Sequence, residues 1–591
     1  MRITLISMPW AIFYRPSIQL GALSAYLEKE AAVHSHCVHL YLDIARAVGF
    51  DLYNDICAST WAGEAIFSAL LFPDNRDQAE RLFIRELPTH KNDFSAVLAT
   101  VEKTTANWLA EQDFQPHDLV GFSICFSQLL ASLYCSSLLK KNWPQLSIVF
   151  GGSACTPALG QSLLRSFPWL DFLIIGEGEQ ALAGLIHHLA ANDPLPDQVL
   201  TRQAMPVAAV AEPAQQLDLD TLPCPDYDQY FKALARLGQP FVPELPIEFS
   251  RGCWWNKCSF CNLNQQWCGY RQRKHDRVLA DVLAMAARYQ CLDFFFTDNA
   301  LPPAEAGDFF RKIQDTHADY RFFAEIRVPR DTDECRRYQK GGLRSIQVGI
   351  EALSGSLLDK MCKGTTVMEN IHAMKMAMAL HIRLDGNLIL EFPGSTEEEV
   401  RETLRVLRLI LPYRPLQAAA FFLGQGSPVY SHPRQYGISA ITHHANDRLL
   451  FPRKILAGLD LLVKGYRGDR TRQKKLWRPV REQIKVWQRF HLNRRQQTRP
   501  ALELRDGGDF LLIRQERPGL PALHHRMGGL SRKIYLACEK PIEKKRLLAR
   551  FKTVKEDQLH QFLAGLEQKG LLYDDGSTCL ALAISQVMKE R

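Results

Sequence analysis

The sequence predicts an α/β protein in three parts: a doubly wound parallel sheet, a partial (β/α) barrel of six units, and a small α+β unit behind them. Three observations lead there. β-rich runs at 2–7, 118–124, 146–152 and 171–178 each give way to a turn and a helical pattern. Apolar strands alternating with helices mean a parallel sheet covered on both faces. A second series of such runs, at 246–250, 293–297, 321–326, 345–350, 386–392 and 417–423, makes six strand–helix units in succession. Beyond residue 500, two hairpin patterns flank three helical ones.

A chain of 591 residues has room for several domains and a conventional core. Hydrophobic residues at 46% and charged residues at 23% are ordinary for a folded soluble protein. The net charge of +8 is mild, so global charge does not argue for nucleic acid. MRITLISMPW lacks the apolar core of a signal peptide, and no uninterrupted apolar run of ~18 residues is present. A cytoplasmic protein with no membrane span is expected. Fifteen cysteines, an odd number without a signal, disfavour a disulfide framework and turn attention to metal or catalytic thiols.

In the N-terminal third, a helical pattern follows at 18–30 and a second apolar run at 38–44; residues 48–115 form a mainly helical insertion with no assigned function. Ligands of such sheets bind outside the carboxyl ends of the strands. The loops there offer Ser7, Pro9, Trp10, Ser123 and Gln128, then Gly151, Gly152 and Ser153, then Gly176, Gly178 and Glu179. The glycines let backbone approach a ligand closely. Their spacing is not G-x-G-x-x-G, which disfavours a dinucleotide.

The strongest chemical signal is SRGCWWNKCSFCNLN, with Cys253, Cys258 and Cys261 spaced C-x4-C-x2-C. A zinc site wants a fourth ligand, for which Cys268 and His275 are available. Three thiolates on one loop can instead hold three irons of a 4Fe–4S cluster and leave the fourth iron open. The triplet sits at the head of the six-unit series, where zinc ribbons do not occur, and this favours the cluster. Functional groups of such barrels lie at strand C-terminal ends. Those positions hold Asp298, Asn299, Glu325, Gln347, Gly349, Glu351 and Asn387, followed by an E-F-P-G turn at 391–394.

With Phe260 before the third cysteine, these residues resemble the radical S-adenosylmethionine (SAM) enzymes. The resemblance implies that Cys253, Cys258 and Cys261 hold the cluster and that the strand-end polar groups meet SAM. One departure is the extra residue between the first two cysteines, since the usual spacing is C-x3-C-x2-C; it bears on the loop at 254–257. The N-terminal domain looks like the Rossmann-like cobalamin domain of the cobalamin-dependent branch. SMPWAIFYRPSIQLGAL, VGFSICFSQLLAS, VFGGSAC, IGEGEQAL, FFAEIRVPRD, IQVGIEALS, KGTT and GNLILEFPGSTEEEV together resemble a subgroup that matures ribosomally made peptides, typically by C-methylation. The likeness spans about residues 1–430. A D-x-H-x-x-G segment is absent, so no histidine from that motif reaches the lower face of cobalamin, and His34 and His36 are expected in a solvated turn.

The resemblance thus implies a cobalamin- and SAM-dependent methyltransferase acting on an unactivated carbon of a precursor peptide, using methylcobalamin and reduced by an external donor such as flavodoxin or ferredoxin. Ring contraction, cross-linking or RNA modification are the alternative radical outcomes. A cobalamin-binding regulator is the alternative of another class, against which the intact cysteine triplet argues.

Residues 464–500 carry 13 Lys and Arg against two acids, with Trp477, Trp487 and Phe490 interleaved. This reads either as a solvated helix with packed aromatics or as a contact for an acidic leader peptide or RNA; nucleic acid is disfavoured. The last part resembles a winged helix of the leader-peptide-recognition type, a module that can add an extended peptide to a sheet edge. The expected domains are 1–190 for cobalamin, 191–244 as linker, 245–430 as barrel, 431–500 as a helical basic segment, and 501–591 as the winged-helix-like unit.

Overall fold

The computed structural model describes residues 1–203, 218–238, 240–267, 269–329 and 331–585. Its first unit is a six-stranded sheet of β1 (Ile3–Ser7), β2 (Ser35–His39), β3 (Leu119–Ser123), β4 (Ser147–Gly151), β5 (Phe172–Ile174) and β6 (Val199–Thr201), in the order β2-β1-β3-β4-β5-β6. The first five are parallel and β6 runs antiparallel to β5. β1 and β3 are buried at every position, as strands covered on both faces must be. The order reverses at β1, which places a ligand crevice at the carboxyl ends of β1 and β3.

The apolar run at 38–44 divides: β2 ends at His39 and a helix, Leu40–Val48, begins at once. Leu40, Tyr41, Leu42 and Ile44 are all buried, so periodicity alone could not mark the boundary. His36 accordingly lies in β2 rather than in a turn. The insertion is helical, with segments Phe50–Ala58, Ala62–Leu71, Arg76–Glu86 and Phe94–Ala110.

The barrel opens with β7 (Leu245–Ile247) and a two-residue pair, β8 (Ser250–Arg251) with β9 (Arg271–Gln272). Its parallel strands continue as β10 (Asp293–Phe296), β11 (Arg321–Ile326), β12 (Leu343–Val348), β13 (Arg383–Asp385), β14 (Asn387–Leu390) and β15 (Gln417–Ala420). β13 and β14 interrupt one strand position at Gly386, so six positions are filled, as expected. A bridge between Glu351 and Leu388 carries the ladder across the break. Burial alternates along β12: Ile346 and Val348 are buried under helices, while Ser345 and Gln347 face the half-open lumen.

Two segments differ from the sequence reading. In the segment 191–244, β6 and the helix Asp228–Arg236 are packed structure, and part of the rest, 204–217, lies outside the described residues. The Tyr227 hydroxyl donates to Pro246 O at 2.7 Å and the Tyr230 hydroxyl to Phe13 O at 2.8 Å, stitching the segment to both neighbours. Residues 431–500 are not helical throughout. β16 (Leu423–Gly424), β17 (Ala440–His443) and β18 (Val463–Arg467) form a small sheet, and long helix appears only at Arg470–Leu476 and Arg478–Asn493. Short polar-edged strands leave little periodic signal. Trp477 and Trp487 are fully buried, and Trp487 Nε1 donates to Tyr413 O at 2.9 Å. These aromatics are packing groups.

The last unit has β19 (Leu502–Asp506), β20 (Phe510–Arg517), β21 (Leu520–Gly528), three helices (Gly529–Ala537, Lys544–Arg550, Glu556–Gln568), and short strands β22 (Ile542–Glu543), β23 (Leu572–Asp574), β24 (Thr578–Ala581) and β25 (Ile584–Ser585). β21, unforeseen as a strand, is an edge of the sheet β21-β20-β19-β25. The unit shares one continuous apolar core with the barrel. Buried Lys375 donates to Glu539 O and Ala581 O, both at 2.7 Å, and the Tyr413 hydroxyl donates to Leu582 O at 2.8 Å. Residues 586–591 lie outside the described set.

His39 ends β2 between the rings of Tyr41 and Tyr230, 5.6 and 5.4 Å away, and neither of its ring nitrogens has a hydrogen-bond partner among the described residues. Burial lowers its pKa to about 3. The folded state therefore binds this proton less readily than the unfolded chain, whose histidine titrates near about 6.5. Its contribution to stability is complete above that value and is lost as pH falls toward 3. Unfolding free energies from denaturant titrations at pH 7.5 and 5.0 should differ less in His39→Phe than in the native protein, by roughly 1–2 kcal/mol.

Candidate functional site

β8 and β9 pair Ser250 with Gln272 and Arg251 with Arg271, closing residues 252–270 into a loop on a short stem. Gly252 has φ +83°, and a Cβ there would run into Gly269 O, so only glycine fits the turn. Within the loop, Ser259 is tied at three points: its N–H donates to Met361 O at 3.0 Å, its hydroxyl to Lys360 O at 2.9 Å, and its carbonyl accepts from Val429 N at 3.0 Å. Cys253, Cys258 and Cys261 are half-exposed on this loop. Burial pushes the Cys258 thiol up, opposed by Lys363 and Arg327, and pushes Cys261 up to about 11.

The extra residue of the first gap is accommodated by its two tryptophans. Trp255 Nε1 donates to Cys362 O at 2.9 Å, and its ring occupies the space a Cβ at Gly364 would need. The Arg327 guanidinium lies over Trp255 at 4.2 Å and over Trp254 at 5.3 Å. Among the described residues, no three His, Cys, Asp or Glu side chains converge on one metal-ion position. Of the two possible fourth zinc ligands, His275 Nδ1 is bound to Glu305 at 2.6 Å, and Cys268 lies outside the described residues.

Beside the loop, the ends of β11 and β12 gather a polar cluster. Lys363 Nζ is 3.1 Å from Glu351 Oε1. Burial raises Glu325 to about 7, with Glu351 adding and Lys363 opposing. A Cβ at Gly349 would strike Lys363 Nζ, so the glycine makes room for the ion pair. Gln347 and Asn387 sit on neighbouring strands of the same sheet series, Gln347 half-buried and Asn387 exposed. Asp298 lies just past β10, at the strand end as expected, but its carboxyl is engaged within the protein. It is buried, accepts from Phe249 N at 3.0 Å and Ser250 Oγ at 2.5 Å, and burial pushes it up to about 7. Its carboxyl supports the strand that enters the cysteine loop. Glu391 likewise is engaged by Arg481.

A cavity of about 370 Å³ opens between the N-terminal sheet and the barrel. Its floor is apolar, with Leu5, Gly121 and Val149 from the sheet and Leu20, Leu23 and Leu182 from two helices. Its rim holds Ser123, Gly151, Gly152, Ser153, Gly176 and Gly178. Gly152 (φ +107°) passes so close to the Ile124 backbone that a Cβ would sit 2.7 Å from it. The barrel side contributes Glu248, Ser250, Arg251 and Asn299. Ser7, Pro9, Trp10 and Gln128 are not among the lining residues. Trp10 packs instead 4.9 Å from the Tyr53 ring in the helical insertion. Gln128 ties the loops, donating to Ser7 Oγ at 3.3 Å and Met8 O at 2.5 Å and accepting from Cys125 N at 2.8 Å.

Where cavity and cysteine loop meet, Arg251 is buried against three carboxylates: Glu177 at 2.8 Å, Glu179 at 2.6 Å and Glu248 at 2.8 Å. Arg271, opposite it on the stem, holds the other oxygen of Glu177. Burial alone would weaken the Arg251 charge, and the three carboxylates more than reverse this. Glu179, also buried, is held below the usual carboxylate range by Arg251. It is thus occupied by the protein rather than free for a ligand. Glu177, Glu248, Arg251 and Lys363 were not singled out from the sequence. The signal was there, in the arginine of S-R-G-C and the first glutamate of G-E-G-E, but nothing local pairs them.

Residues 247–407 match the family model of the Radical SAM superfamily. An uncharacterised methyltransferase of Pyrococcus horikoshii is 26% identical over 334 residues, 55% of this chain and 71% of that protein. The chain superposes on the radical SAM methyltransferase TsrM of Kitasatospora setae with a TM-score of 0.55 and 15% identity, over 82% of this chain and 89% of that one; a structure of TsrM holds cobalamin and a 4Fe–4S cluster. It superposes on the cobalamin-dependent SAM radical enzyme OxsB, seen with aqua-cobalamin and SAM, with a TM-score of 0.50 and 17% identity, over 78% of this chain and 56% of OxsB. No described helix is long and apolar enough to cross a membrane. Residues 247–407 form a radical SAM domain, and about four fifths of the chain shares its fold with cobalamin-dependent radical SAM enzymes.

Proposed function

We propose that the protein is a cobalamin- and SAM-dependent radical methyltransferase that modifies an unactivated carbon of a ribosomally made peptide. The carrying observation is the cavity, which has a doubly wound sheet as its floor and the stem of the cysteine loop as its wall. The donor set fits the cofactors. Three half-exposed thiols on one loop suit a cluster with an open iron, and the ion pair Lys363–Glu351 with Glu325 suits the charged head of an amino acid. The glycine rim suits a large ring laid against backbone, and the apolar floor suits a planar tail. When bound, cluster and SAM supply a carbon radical able to take hydrogen from an unactivated carbon, and cobalamin carries the methyl group that replaces it.

The chain's own part is placement. Arg251 holds the cavity wall, Trp255 and Ser259 hold the cysteine loop, and Lys363 with Arg327 provides positive charge that favours the thiolate form of Cys258. Electrons come from an external donor such as flavodoxin or ferredoxin. Cys253→Ala, Cys258→Ala and Cys261→Ala should each lose iron after anaerobic reconstitution and abolish SAM cleavage. Cys268→Ala and Cys362→Ala should keep both; loss of the iron absorbance in either control would refute the ligand assignment.

No histidine is among the described residues lining the cavity. The cobalt(II) form of the bound cofactor should therefore show no superhyperfine splitting from a protein nitrogen in its electron paramagnetic resonance spectrum, so uniform 15N labelling of the protein should leave the spectrum unchanged. Clear splitting from a protein nitrogen would contradict the assignment of this cavity.

The peptide reading rests on β21, a nine-residue edge strand with Leu520 and Leu523 exposed and Leu530 exposed just after it. An extended leader can pair with such an edge. Because the unit shares its core with the barrel, point changes test this better than truncation. Leu523→Asp and Leu530→Asp should weaken binding of a labelled precursor encoded near the gene by about tenfold in fluorescence anisotropy, while SAM cleavage without peptide persists. Binding through a sheet edge should depend weakly on salt, unlike a contact through the basic segment. Unchanged affinity in both variants would remove β21 from substrate recognition.

A further inference from the structure

Glu177 stands at the joint of the two halves. It lies in the loop after β5, between Gly176 and Gly178 on the cavity rim, and occupies the residue just before the helix Gly178–Ala191. One oxygen takes Arg251 at 2.8 Å and the other takes Arg271. Those two arginines are the directly paired residues of the β8–β9 stem, and Cys253 follows Arg251 by two residues. One buried carboxylate therefore grips both legs of the loop that carries the three cysteines, and the same carboxylate borders the cavity.

Resting on the cofactor reading above, we infer that Glu177 couples the cavity to the cysteine loop, so that a corrinoid in the cavity and a cluster on Cys253, Cys258 and Cys261 each tighten the binding of the other. A ligand against Gly176–Gly178 fixes the position of Glu177. A cluster on the loop fixes the stem and with it Arg251 and Arg271. Each event orders groups that the other also needs ordered, and that ordering cost is met once when both are bound. Linkage makes the effect equal in the two directions. Arg271 is a positioning residue here. It does not line the cavity, so changing it reaches a corrinoid indirectly, through Glu177 and the stem it pairs with.

The experiment is a titration of the full-length protein with hydroxocobalamin, followed by absorbance, before and after anaerobic iron–sulfur reconstitution. Reconstitution should lower Kd by roughly fivefold or more. Iron retained at equilibrium against a chelator should rise by the same factor when cobalamin is present. In Arg271→Ala and in the isosteric Glu177→Gln the ratio of the two Kd values should fall toward one, and Arg271→Lys should recover part of it. A merely structural role would move both Kd values together and leave the ratio intact. Equal Kd in both forms of the native protein, or an undiminished ratio in both variants, overturns the coupling. If neither form binds hydroxocobalamin, the reading of the cavity itself fails and the coupling falls with it.

Discussion

The arrangement of the site depends on one buried arginine. Arg251 has lost nearly all contact with water, and so have Glu177 and Glu179. Removing such charges from water costs several kcal/mol per ion, and their attraction offsets this only when the geometry satisfies each group. Here every guanidinium nitrogen meets a carboxylate oxygen within 2.8 Å. The gain is one of position more than of net stability. Glu177 comes from the loop after β5, Glu179 from the first turn of the helix that follows and Glu248 from the residue just after β7, so the network ties the sheet to the barrel. Glu248 and Arg251 both line the cavity, and their mutual bond fixes the wall a ligand would meet.

A second buried cation plays the same part at the other end. Lys375 sits in a barrel helix, and burial lowers its pKa to about 8. It spends its hydrogen bonds on two carbonyls of the last unit, Glu539 O and Ala581 O. Around it the apolar core passes from barrel to last unit without a break. The edge strand β21 is therefore presented by a body fixed to the barrel. A peptide held there would be tethered at a set place rather than delivered by a swinging arm.

The strands of both sheets were legible because they are short apolar runs ended by glycine or polar turns, as at 146–152 and 293–297. The cysteine loop was legible because its ligands are close in sequence. What escaped is what depends on partners far apart in the chain. Arg251 and Glu177 are separated by 74 residues, and Lys375 and Ala581 by 206. Strand-end position alone did not show that the Asp298 carboxyl turns back to Ser250 or that the Trp10 ring enters the helical insertion. The basic tract at 464–500 reads either as a solvated helix with packed aromatics or as an interaction surface; the structure places Trp477 and Trp487 in the core and Arg481 on Glu391, which favours the first.

The lumen beside the cysteines shows how the same electrostatics prepares a site without a permanent ligand. Lys363 and Glu351 balance each other at 3.1 Å, leaving Glu325 as the carboxyl whose charge is least supported. With its pKa raised to about 7 by burial, Glu325 holds a proton more readily than an exposed carboxyl would. A positive group arriving beside it would favour the ionised form and draw the pKa back down. Such a group is then bound with loss of a proton, and its affinity should fall as pH drops below 7. An anion arriving at the same place would meet two carboxylates and one ammonium already engaged. The cluster thus offers an arriving positive group a carboxyl that ionises on contact, through desolvation of Glu325 rather than through a standing negative charge.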